Sequence, residues 1–327
     1  MRYRTLGRLG WEISEVGYGM WGIAGGSGGF TDANYDTAPG CLERALELGC
    51  NFFDTASSYG RGLSEQMLGR LLREHQDRRI YVATKIAPKN REWPARPGDT
   101  LDDVFPPGHI RESTYKSLEN LGLARIDLMQ FHVWEDRWAA DERWQTAMTD
   151  LKREGVIGGI GISVNRWEPA NCFKALDTGL IDTIQVIYNV FDQSPEDELL
   201  VRARKENIGI IARVPFDEGG LTGTLSADTT FPADDWRSTY FGPENLLPTV
   251  QRAAALKEIL PDGMTLPELT LRFILANPAV STVIPGMRQP RHVEANFGAS
   301  DGRALPAELM AELRRHRWDR APTAWSG

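Results

Sequence analysis

The chain has 327 residues, of which 41% are hydrophobic and 25% are charged, and its formal net charge at pH 7 is −8. This length is enough for two average domains or for one large α/β barrel, and the composition is typical of globular proteins. The negative charge argues against a general surface for nucleic acid or for anionic membranes, so neither partner is expected.

Cysteine content and apolar runs restrict the class further. Cys41, Cys50 and Cys172 are odd in number and form no CxxC pair, so neither a disulfide framework nor a metal site is expected. The N-terminal stretch has no apolar core of signal-peptide length, and no segment approaches ~18 uninterrupted apolar residues. We therefore expect a cytoplasmic protein without a membrane partner.

Strand-like and helix-like segments alternate along the chain. The opening YRTLGRLGWEIS predicts a hairpin that turns at Gly7–Gly10. Short apolar runs then predict eight strands: Val16–Met20, Asn51–Phe53, Ile80–Ala83, Ile126–Phe131, Ile157–Ile162, Thr183–Ile187, Ile208–Ala212 and Thr282–Ile284. Eight strands with helices between them predict an α/β fold of the (β/α)8 type, a TIM barrel. No linker composition divides the chain, so a single domain over residues 1–327 is expected.

Apolar residues with helical spacing lie between these strands. They predict helices around Leu42–Gly49, Trp144–Leu151, Leu199–Ala203 and Pro267–Leu275, and one that begins at Ser113 and ends at Gly122. Two other connections, 87–107 and 217–242, are long, rich in glycine and proline, and carry Trp93 and Trp236. Loops of this length on a barrel are usually functional lids or mobile insertions.

Polar residues stand at the ends of several predicted strands. Asp54, Lys85 and His132 end the second, third and fourth strands, and Tyr59 follows Asp54 by 5 residues. One polar residue at such a place is usually a cap or part of a solvated rim. The carboxyl ends of barrel strands, however, form the face on which active sites occur. These side chains converging on one mouth therefore predict a site.

Five motifs in chain order, DTASSYGRGLSEQMLG, ATK, QFH, GISVN and IPGMRQPRHVEAN, resemble the aldo-keto reductase superfamily over almost the whole chain. The separations from Asp54 to Tyr59, from Tyr59 to Lys85 and from Lys85 to His132 are 5, 26 and 47 residues, as in the tetrad of that family. The resemblance implies reversible, NADPH-dependent reduction of aldehydes or ketones. It also implies that Tyr59 is the general acid, that Asp54 and Lys85 tune it, and that His132 orients the substrate carbonyl.

The chemistry of carbonyl reduction explains these residue types. Hydride delivered to a carbonyl carbon leaves charge on the oxygen, so a proton donor must lie there. A phenol with an ordinary pKa of about 10 is a weak acid at neutral pH, and the ammonium of Lys85 is expected to lower the pKa of Tyr59. Asp54 compensates the charge of a partly buried Lys85. A neutral His132 can donate a second hydrogen bond to the developing oxyanion.

The same resemblance implies a set of cofactor-binding residues. Those near the nicotinamide are Gly19, Met20, Trp21, Ser163, Asn165, Gln185, Arg213, Val214 and Pro215, and those near the adenosine phosphate are Gly286, Met287, Arg288, His292 and Asn296. Gly286 allows close backbone approach, and a helix over 289–298 would offer its N-terminus to an anion. Arg288 is a natural partner for a 2′-phosphate, which favours NADPH (NADP+) over NADH.

Three positions depart from the family pattern. Val164 separates a serine and an asparagine that the family often has adjacent. Arg213 replaces a ring that commonly stacks on the nicotinamide, and although a guanidinium plane can also stack, its charge changes the electronics of the ring beside it. Ala295 stands where an acid that binds adenine is frequent, which leaves His292 and Asn296 as the candidates.

One motif points to a different nucleotide fold. GYGMWG, residues 17–22, satisfies the dinucleotide fingerprint G-x-G-x-x-G, and Asp36 lies 19 residues beyond Gly17. A Rossmann unit needs a helix to open within the glycine run, whereas the following IAGGSGGFTD is predicted as a loop. The Rossmann interpretation is therefore rejected.

Two other functions stay open on the sequence alone. One is a barrel that holds its cofactor as a redox-sensing partner with little turnover, as the potassium-channel β subunits of that superfamily suggest. The other is a Schiff-base aldolase with Lys85 as the nucleophile. The substrate is open as well, because an aromatic wall of Trp21, Trp93 and Trp134 at the mouth would suit many carbonyl compounds.

Overall fold

The chain opens with an antiparallel hairpin that closes one end of a barrel. Its strands are β1 (Tyr3–Thr5) and β2 (Glu12–Ser14), joined by a 3-10 turn over Gly7–Leu9. The backbone N–H of Arg8 donates to the carbonyl of Asn207 at 2.6 Å, just before a barrel strand begins. The predicted hairpin is confirmed, and it lies against the amino ends of the strands.

The barrel strands form one parallel sheet in chain order. Within residues 1–24 and 35–321, which the computed structural model describes, this sheet has eight strands. They are β3 Tyr18–Gly19, β4 Phe52–Asp54, β5 Tyr81–Ile86, β6 Ile126–Phe131, β7 Ile157–Ser163, β8 Thr183–Ile187, β9 Gly209–Arg213 and β10 Val280–Val283. Parallel bridges from Val16 to Val283 and from Gly19 to Gly286 join the first strand of the sheet to the last. The predicted (β/α)8 barrel is confirmed.

Helices connect the strands. They are α1 Ala38–Glu47, α2 Leu63–Glu74, α3 Leu101–Val104, α4 Pro107–Leu121, α5 Glu142–Arg153, α6 Phe173–Asp177, α7 Leu199–Glu206, α8 Arg237–Tyr240, α9 Pro243–Lys257, α10 Leu266–Leu275, α11 Pro290–Gly298 and α12 Ala307–Arg315. The prediction that α4 begins at Ser113 is wrong, because Pro107 opens the helix where no backbone donor is needed. Its predicted end at Gly122 is confirmed, and Gly122 takes the left-handed conformation with φ 67°.

Two apolar cores hold the barrel together. The larger one packs the helices against the outer faces of the strands. The smaller one lies inside the barrel, where Leu6 and Ile13 of the hairpin meet Phe52, Leu128 and Ile211 of the strands. Strands β7 and β8 are buried at every residue, as expected for parallel strands that are covered on both faces.

The two long connections are partly structured. Connection 87–107 contains α3, which Thr100 and Asp103 begin with a reciprocal capping box. Connection 217–242 contains a 3-10 turn over Asp217–Thr222 and the short helix α8. Both therefore carry their own backbone hydrogen bonds and differ from unstructured insertions.

The glycine-rich match at residues 17–22 does not form a Rossmann unit. Strand β3 is followed by a 3-10 turn over Trp21–Ile23, and the next helix, α1, begins only at Ala38. Part of the loop predicted to follow, 25–32, lies outside the described residues. Among the helices that the structure describes, none is long and apolar enough to cross a membrane.

Candidate active site

A buried ion pair lies at the carboxyl ends of β4 and β5. Nζ of Lys85 is 2.5 Å from Oδ1 of Asp54 and 2.9 Å from the carbonyl oxygen of Thr55, and the two charged side chains are 1% and 3% exposed. The third neighbour of the ammonium group is the hydroxyl of Tyr59, at 3.3 Å. All three N–H donors of Lys85 therefore have acceptors, which offsets the cost of burying its charge.

The second carboxylate oxygen of Asp54 is held by two amides. Nε2 of Gln130 donates to Oδ2 at 3.1 Å, and Nε2 of Gln185 donates to the same atom at 2.8 Å. The predicted contact between Gln185 and a nicotinamide carboxamide thus competes with an internal partner. Sequence reasoning missed Gln130, although its position two residues before His132 puts it on the same inward face of β6.

Tyr59 is presented by a sharply bent turn between β4 and α2. The three residues after it, Gly60, Arg61 and Gly62, all have positive φ angles of 57°, 55° and 92°. A Cβ at Gly60 would lie 2.6 Å from the carbonyl oxygen of Ala24, so only glycine fits there. This turn brings the Tyr59 ring to 5.7 Å from the His132 ring, edge to face.

Burial and charge act in opposite directions on Tyr59 and Lys85. Burial raises the pKa of Tyr59, and the lowering by Lys85 does not overcome it. The predicted net lowering of this pKa is therefore wrong, because the phenol is shielded from water. Burial alone would lower the pKa of Lys85, but Asp54 and Tyr59 raise it above its usual value. Both groups are protonated at neutral pH.

His132 is neutral at neutral pH. Its pKa lies well below the usual value because the ring is buried and because Lys85 and Arg213 are close. Its backbone N–H donates to the carbonyl of Ile86 at 3.1 Å, and its Nδ1 is 3.4 Å from Oγ of Ser58. In the tautomer in which Nδ1 accepts from Ser58, the proton of the neutral imidazole is on Nε2, and that nitrogen can donate.

Aromatic side chains from three connections surround this group. The Trp21 ring lies 6.4 Å from the Tyr59 ring and 5.1 Å from the Trp236 ring, and the Trp93 ring lies 5.7 Å from the His132 ring. Trp236 was not among the predicted pocket residues. The long connection 217–242 therefore folds back over the mouth of the barrel.

The prediction that Trp134 lines the mouth is wrong. Its side chain is fully buried among the rings of Phe131, Trp138 and Trp144. The chain turns outward over α5 after β6 ends, and this turn carries Trp134 into the outer core. A tryptophan three positions after a strand end can face either side, and the sequence pattern does not distinguish the two.

Asn165 and Arg213 lie beside the site, and each has a buried polar atom without a hydrogen-bond partner among the described residues. Nδ2 of Asn165 donates to Glu135 and Glu168 at 3.2 and 3.1 Å, while its buried Oδ1 has no partner among the described residues. Nη2 of Arg213 donates to the carbonyl of Val164 at 3.0 Å, and its buried Nε also has no partner in the described chain. Two departures from the family pattern, Val164 and Arg213, are thus in contact.

The electrostatic setting of Arg213 is unusual. Burial lowers its pKa to about 10, and the nearby Arg166 acts in the same direction. No carboxylate of the described residues lies within ion-pair distance of it, whereas Arg166 is paired with Glu218 at 2.7 Å. The next residue, Val214, has φ 55°, which is strained for a β-branched side chain. Val214 is partly exposed and Pro215 is buried, and their contact with a cofactor stays a prediction.

The remaining predicted cofactor residues form a second group at the junction of β10 and α11. Gly286 is exposed, and nothing lies within 4 Å of a Cβ built on it. The stem of Arg288 packs over Gly22, and His292 is half-buried with Nε2 3.4 Å from Nε of Arg291. The first turn of α11 has no side-chain cap. The positive end of the helix dipole and the guanidinium groups of Arg288 and Arg291 suit an anion.

Three predicted cofactor residues are buried in the described structure. Met20 and Met287 are fully buried in the outer core, and the hydroxyl of Tyr18 donates to the carbonyl of Met287. Both side chains are thus occupied by packing within the chain, and the contact of these residues with a cofactor stays a prediction. Asn296 is 4% exposed. Ser163 and Gly19 lie at the ends of β7 and β3, where the prediction put them.

Comparisons with known proteins agree with this geometry. The model of the Aldo/keto reductase family matches residues 15–317. The uncharacterized oxidoreductase YqkF of Bacillus subtilis (strain 168) is 33% identical over 97% of this chain and 96% of its own length. The NADH-specific methylglyoxal reductase of Escherichia coli (strain K12) is 27% identical over 95% of this chain and 99% of its own. The solved structure of the glycerol dehydrogenase AKR11B4 from Gluconobacter oxydans has a TM-score of 0.78 and 28% identity, with 96% and 94% of the two chains covered.

Proposed function

We propose that this chain, which belongs to the aldo/keto reductase family, is an NADPH-dependent reductase of small aldehydes or ketones with Tyr59 as its general acid. Membership of the family makes it an oxidoreductase that acts on carbonyl compounds with a nicotinamide cofactor. The observation that carries the finer proposal is the buried set in which Lys85 contacts both Asp54 and Tyr59.

Each member of this set has a defined task. Tyr59 holds a proton at neutral pH and gives it to the carbonyl oxygen as that oxygen takes up charge. Lys85, 3.3 Å away, stabilises the phenolate that remains. Asp54 keeps Lys85 charged, and Gln130 and Gln185 fix the orientation of Asp54. His132 donates a second hydrogen bond to the same carbonyl oxygen and so adds to its stabilisation.

The residues around the set fit a nicotinamide nucleotide, which when bound supplies the hydride. The unpaired Oδ1 of Asn165 suits an amide donor, and the unpaired Nε of Arg213 suits an anion or an acceptor. Together with Ser163 they would hold the nicotinamide half. Gly286 has open space beside it, which suits close approach of a phosphate group to the backbone.

The choice of NADPH rests on the cations at the amino end of α11. Arg288 and Arg291 lie there beside His292, whose pKa burial and these two cations lower, and the two guanidinium groups suit a 2′-phosphate. Relatives differ in this respect, since one is described as NADH-specific and another, from Schizosaccharomyces pombe, as using NADP(+). The cofactor preference is therefore a property of this chain's own residues, and a separate prediction below tests it.

The two alternative functions receive less support. A Schiff-base lysine must be a neutral nucleophile, whereas Asp54 and Tyr59 raise the pKa of Lys85 and keep it as an ammonium ion. A sensor without turnover would not need a protonated phenol 3.3 Å from that ammonium. We also propose a single-domain protein of a reducing compartment such as the cytoplasm, which suits three buried, free cysteines.

Replacement of Tyr59 by Phe tests the proposal. Tyr59→Phe removes only the hydroxyl, so turnover of an aldehyde should fall by about 10²–10⁴-fold, the usual contribution of a general acid. The affinity for NADPH, measured by fluorescence titration, should change by less than about twofold because no binding group is lost. Tyr115→Phe is the matched control, since Tyr115 is exposed and distant from the site. Full turnover in Tyr59→Phe would exclude Tyr59 as the acid.

A further inference from the structure

Arg320, in the segment after α12, is buried between two carboxylates. Its Nη2 lies 2.8 and 2.7 Å from the two oxygens of Asp192 and 2.9 Å from Oδ1 of Asp217. Its Nη1 lies 3.2 Å from the hydroxyl of Tyr240, which itself donates to Asp217 at 2.6 Å. The side chain of Arg320 is only 3% exposed. A guanidinium in this setting is strongly held, since removal of one member of a buried ion pair is costly.

These contacts join segments that are remote in the sequence. Asp192, Asp217 and Tyr240 are 128, 103 and 80 residues from Arg320. The guanidinium also lies over the rings of Trp167 and Trp318, at 4.9 and 4.5 Å from their centroids. The tail before it is anchored on its own, because the backbone N–H of Trp318 donates to the carbonyl of Phe191 at 2.8 Å. Arg320 thus ties an anchored tail to the connection after β9.

The connection after β9 needs such a tie because its backbone is strained. Val214, Asp217 and Glu218 have φ angles of 55°, 45° and 57°, in the left-handed region that non-glycine residues rarely adopt. A conformation of this kind persists only when surrounding contacts stabilise it. The contacts on Asp217 and Glu218 are ion pairs, to Arg320 and Arg166.

The strained connection leads directly to the candidate active site. Its amino end is Arg213, whose charge contributes to the lowered pKa of His132. Its carboxyl end is α8, where Trp236 lies 5.4 Å from the Tyr240 ring and 5.1 Å from the Trp21 ring. Trp21 in turn borders Tyr59. A displacement of Asp217 or Tyr240 would therefore move both ends of the wall that covers the mouth.

We propose that Arg320 is a positioning residue that holds connection 213–240 closed over the mouth of the barrel and thereby slows the release of bound cofactor. The claim that Arg320 slows cofactor release rests on the proposed function. The claim that Arg320 holds the connection closed concerns the cofactor-free chain alone. The two claims are tested by different measurements.

The first measurement is hydrogen exchange of the cofactor-free protein, followed by mass spectrometry. In Arg320→Met, peptides from 213–240 should exchange roughly tenfold faster or more, because two buried carboxylates lose their partner. Arg317→Met is the matched control, since Arg317 lies in the same tail but pairs with Asp197 and Asp319 at the surface. It should leave exchange over 213–240 unchanged. Arg320→Lys, which keeps the charge but not the planar fork, should lie between wild type and Arg320→Met.

The second measurement separates closure from chemistry. The release of NADPH, followed by stopped-flow fluorescence, should be accelerated by roughly tenfold or more in Arg320→Met, and this factor should exceed any change in the rate of a single turnover with cofactor already bound. Tyr240→Phe, which loses one hydroxyl and keeps its ring, should change both exchange and release in the same direction by a smaller factor. It serves as the test if Arg320→Met does not fold.

The outcomes distinguish the possible failures. Unchanged exchange over 213–240 in both Arg320→Met and Tyr240→Phe would overturn the proposal. Faster exchange throughout the chain would also overturn it, because Arg320 would then stabilise the barrel as a whole. If faster exchange is confined to 213–240 but the wild type does not bind NADPH, Arg320 holds the connection closed as proposed, and the proposed cofactor is contradicted.

Discussion

Lys85 keeps its charge in a buried site because each of its donors has an acceptor. Two of these acceptors, Asp54 and the carbonyl of Thr55, come from the end of β4, and the third is the hydroxyl of Tyr59. The opposing effects of burial and of the ion pair leave both Lys85 and Tyr59 protonated at neutral pH. A proton donor and a cation that stabilises its conjugate base are thus present together before a substrate arrives.

Replacement of Arg288 by Ala tests the cofactor preference at the scale of one residue. If Arg288 binds the 2′-phosphate, Arg288→Ala should weaken NADPH binding by about 1.5–3 kcal/mol, the range of a hydrogen bond to a charged group. NADH lacks that phosphate, so its affinity should be nearly unchanged. Fluorescence titration of both cofactors gives the comparison, and the same titrations of Arg291→Ala test the other guanidinium group at this end of α11. An equal loss for NADPH and NADH would mean that Arg288 only positions the loop over Gly22.

The backbone at the connection between β10 and α11 is closely packed at one end and has open space beside it at the other. At the tight end, Gly19 pairs with Gly286 across the barrel seam, and a Cβ on Gly19 would lie 2.5 Å from the carbonyl oxygen of Ile284. At the open end, a Cβ on Gly286 would contact nothing within 4 Å. The packing around the two glycines therefore places different constraints on the side chain at each position. Packing of the chain itself requires Gly19, whereas nothing in the described protein requires Gly286.

Gly286→Ala should consequently separate folding from binding. Its melting temperature without cofactor should stay close to that of the wild type, since exposed substitutions usually change stability by less than about 0.5 kcal/mol. Its affinity for NADPH should fall by about tenfold, which is about 1.4 kcal/mol, if a phosphate group approaches this backbone closely. Gly19→Ala is the contrasting variant and should lower the melting temperature. Unchanged affinity in Gly286→Ala would place the phosphate elsewhere.

The two ends of the barrel carry different properties of the whole molecule. The carboxyl ends of the strands hold the ion pair, the aromatic wall and the strained connection after β9. The amino ends are closed by the hairpin, where Leu6 packs with Phe52 and Ile211 and is fully buried. This division agrees with the general rule that catalysis belongs to the carboxyl face of such barrels and stability to the other face.

Leu6→Ala should therefore lower stability without changing catalysis. Loss of a fully buried leucine typically costs about 2–5 kcal/mol of unfolding free energy. Denaturant titration should show this loss as a lower midpoint with an unchanged slope. At 25 °C and without denaturant, kcat should stay within about twofold, because the site lies at the opposite end of the strands. Leu247→Ala, at an exposed position, is the control and should be nearly neutral in both measurements. A large fall in kcat would show that the hairpin also positions the site.

Local patterns in the sequence were sufficient to predict the barrel and the set of Asp54, Tyr59, Lys85 and His132. Strands alternate with helices, and each of these residues stands at or just after a strand end. The carboxyl ends of parallel strands meet at one face, so such residues come together whatever the details of packing. The hairpin and the rejection of a Rossmann unit followed from equally local signals.

Other features depended on contacts between segments that are remote along the chain, and only the tertiary structure decided them. The direction of the Tyr59 pKa is the net result of burial and of a nearby cation, and burial cannot be read from the residue type. The course of the chain after the strands places Trp236 at the site and Trp134 in the outer core. The carboxylates that Arg320 contacts, those of Asp192 and Asp217, are 128 and 103 residues away in the sequence. Residue patterns determine which elements form, whereas partners and burial are set when those elements pack.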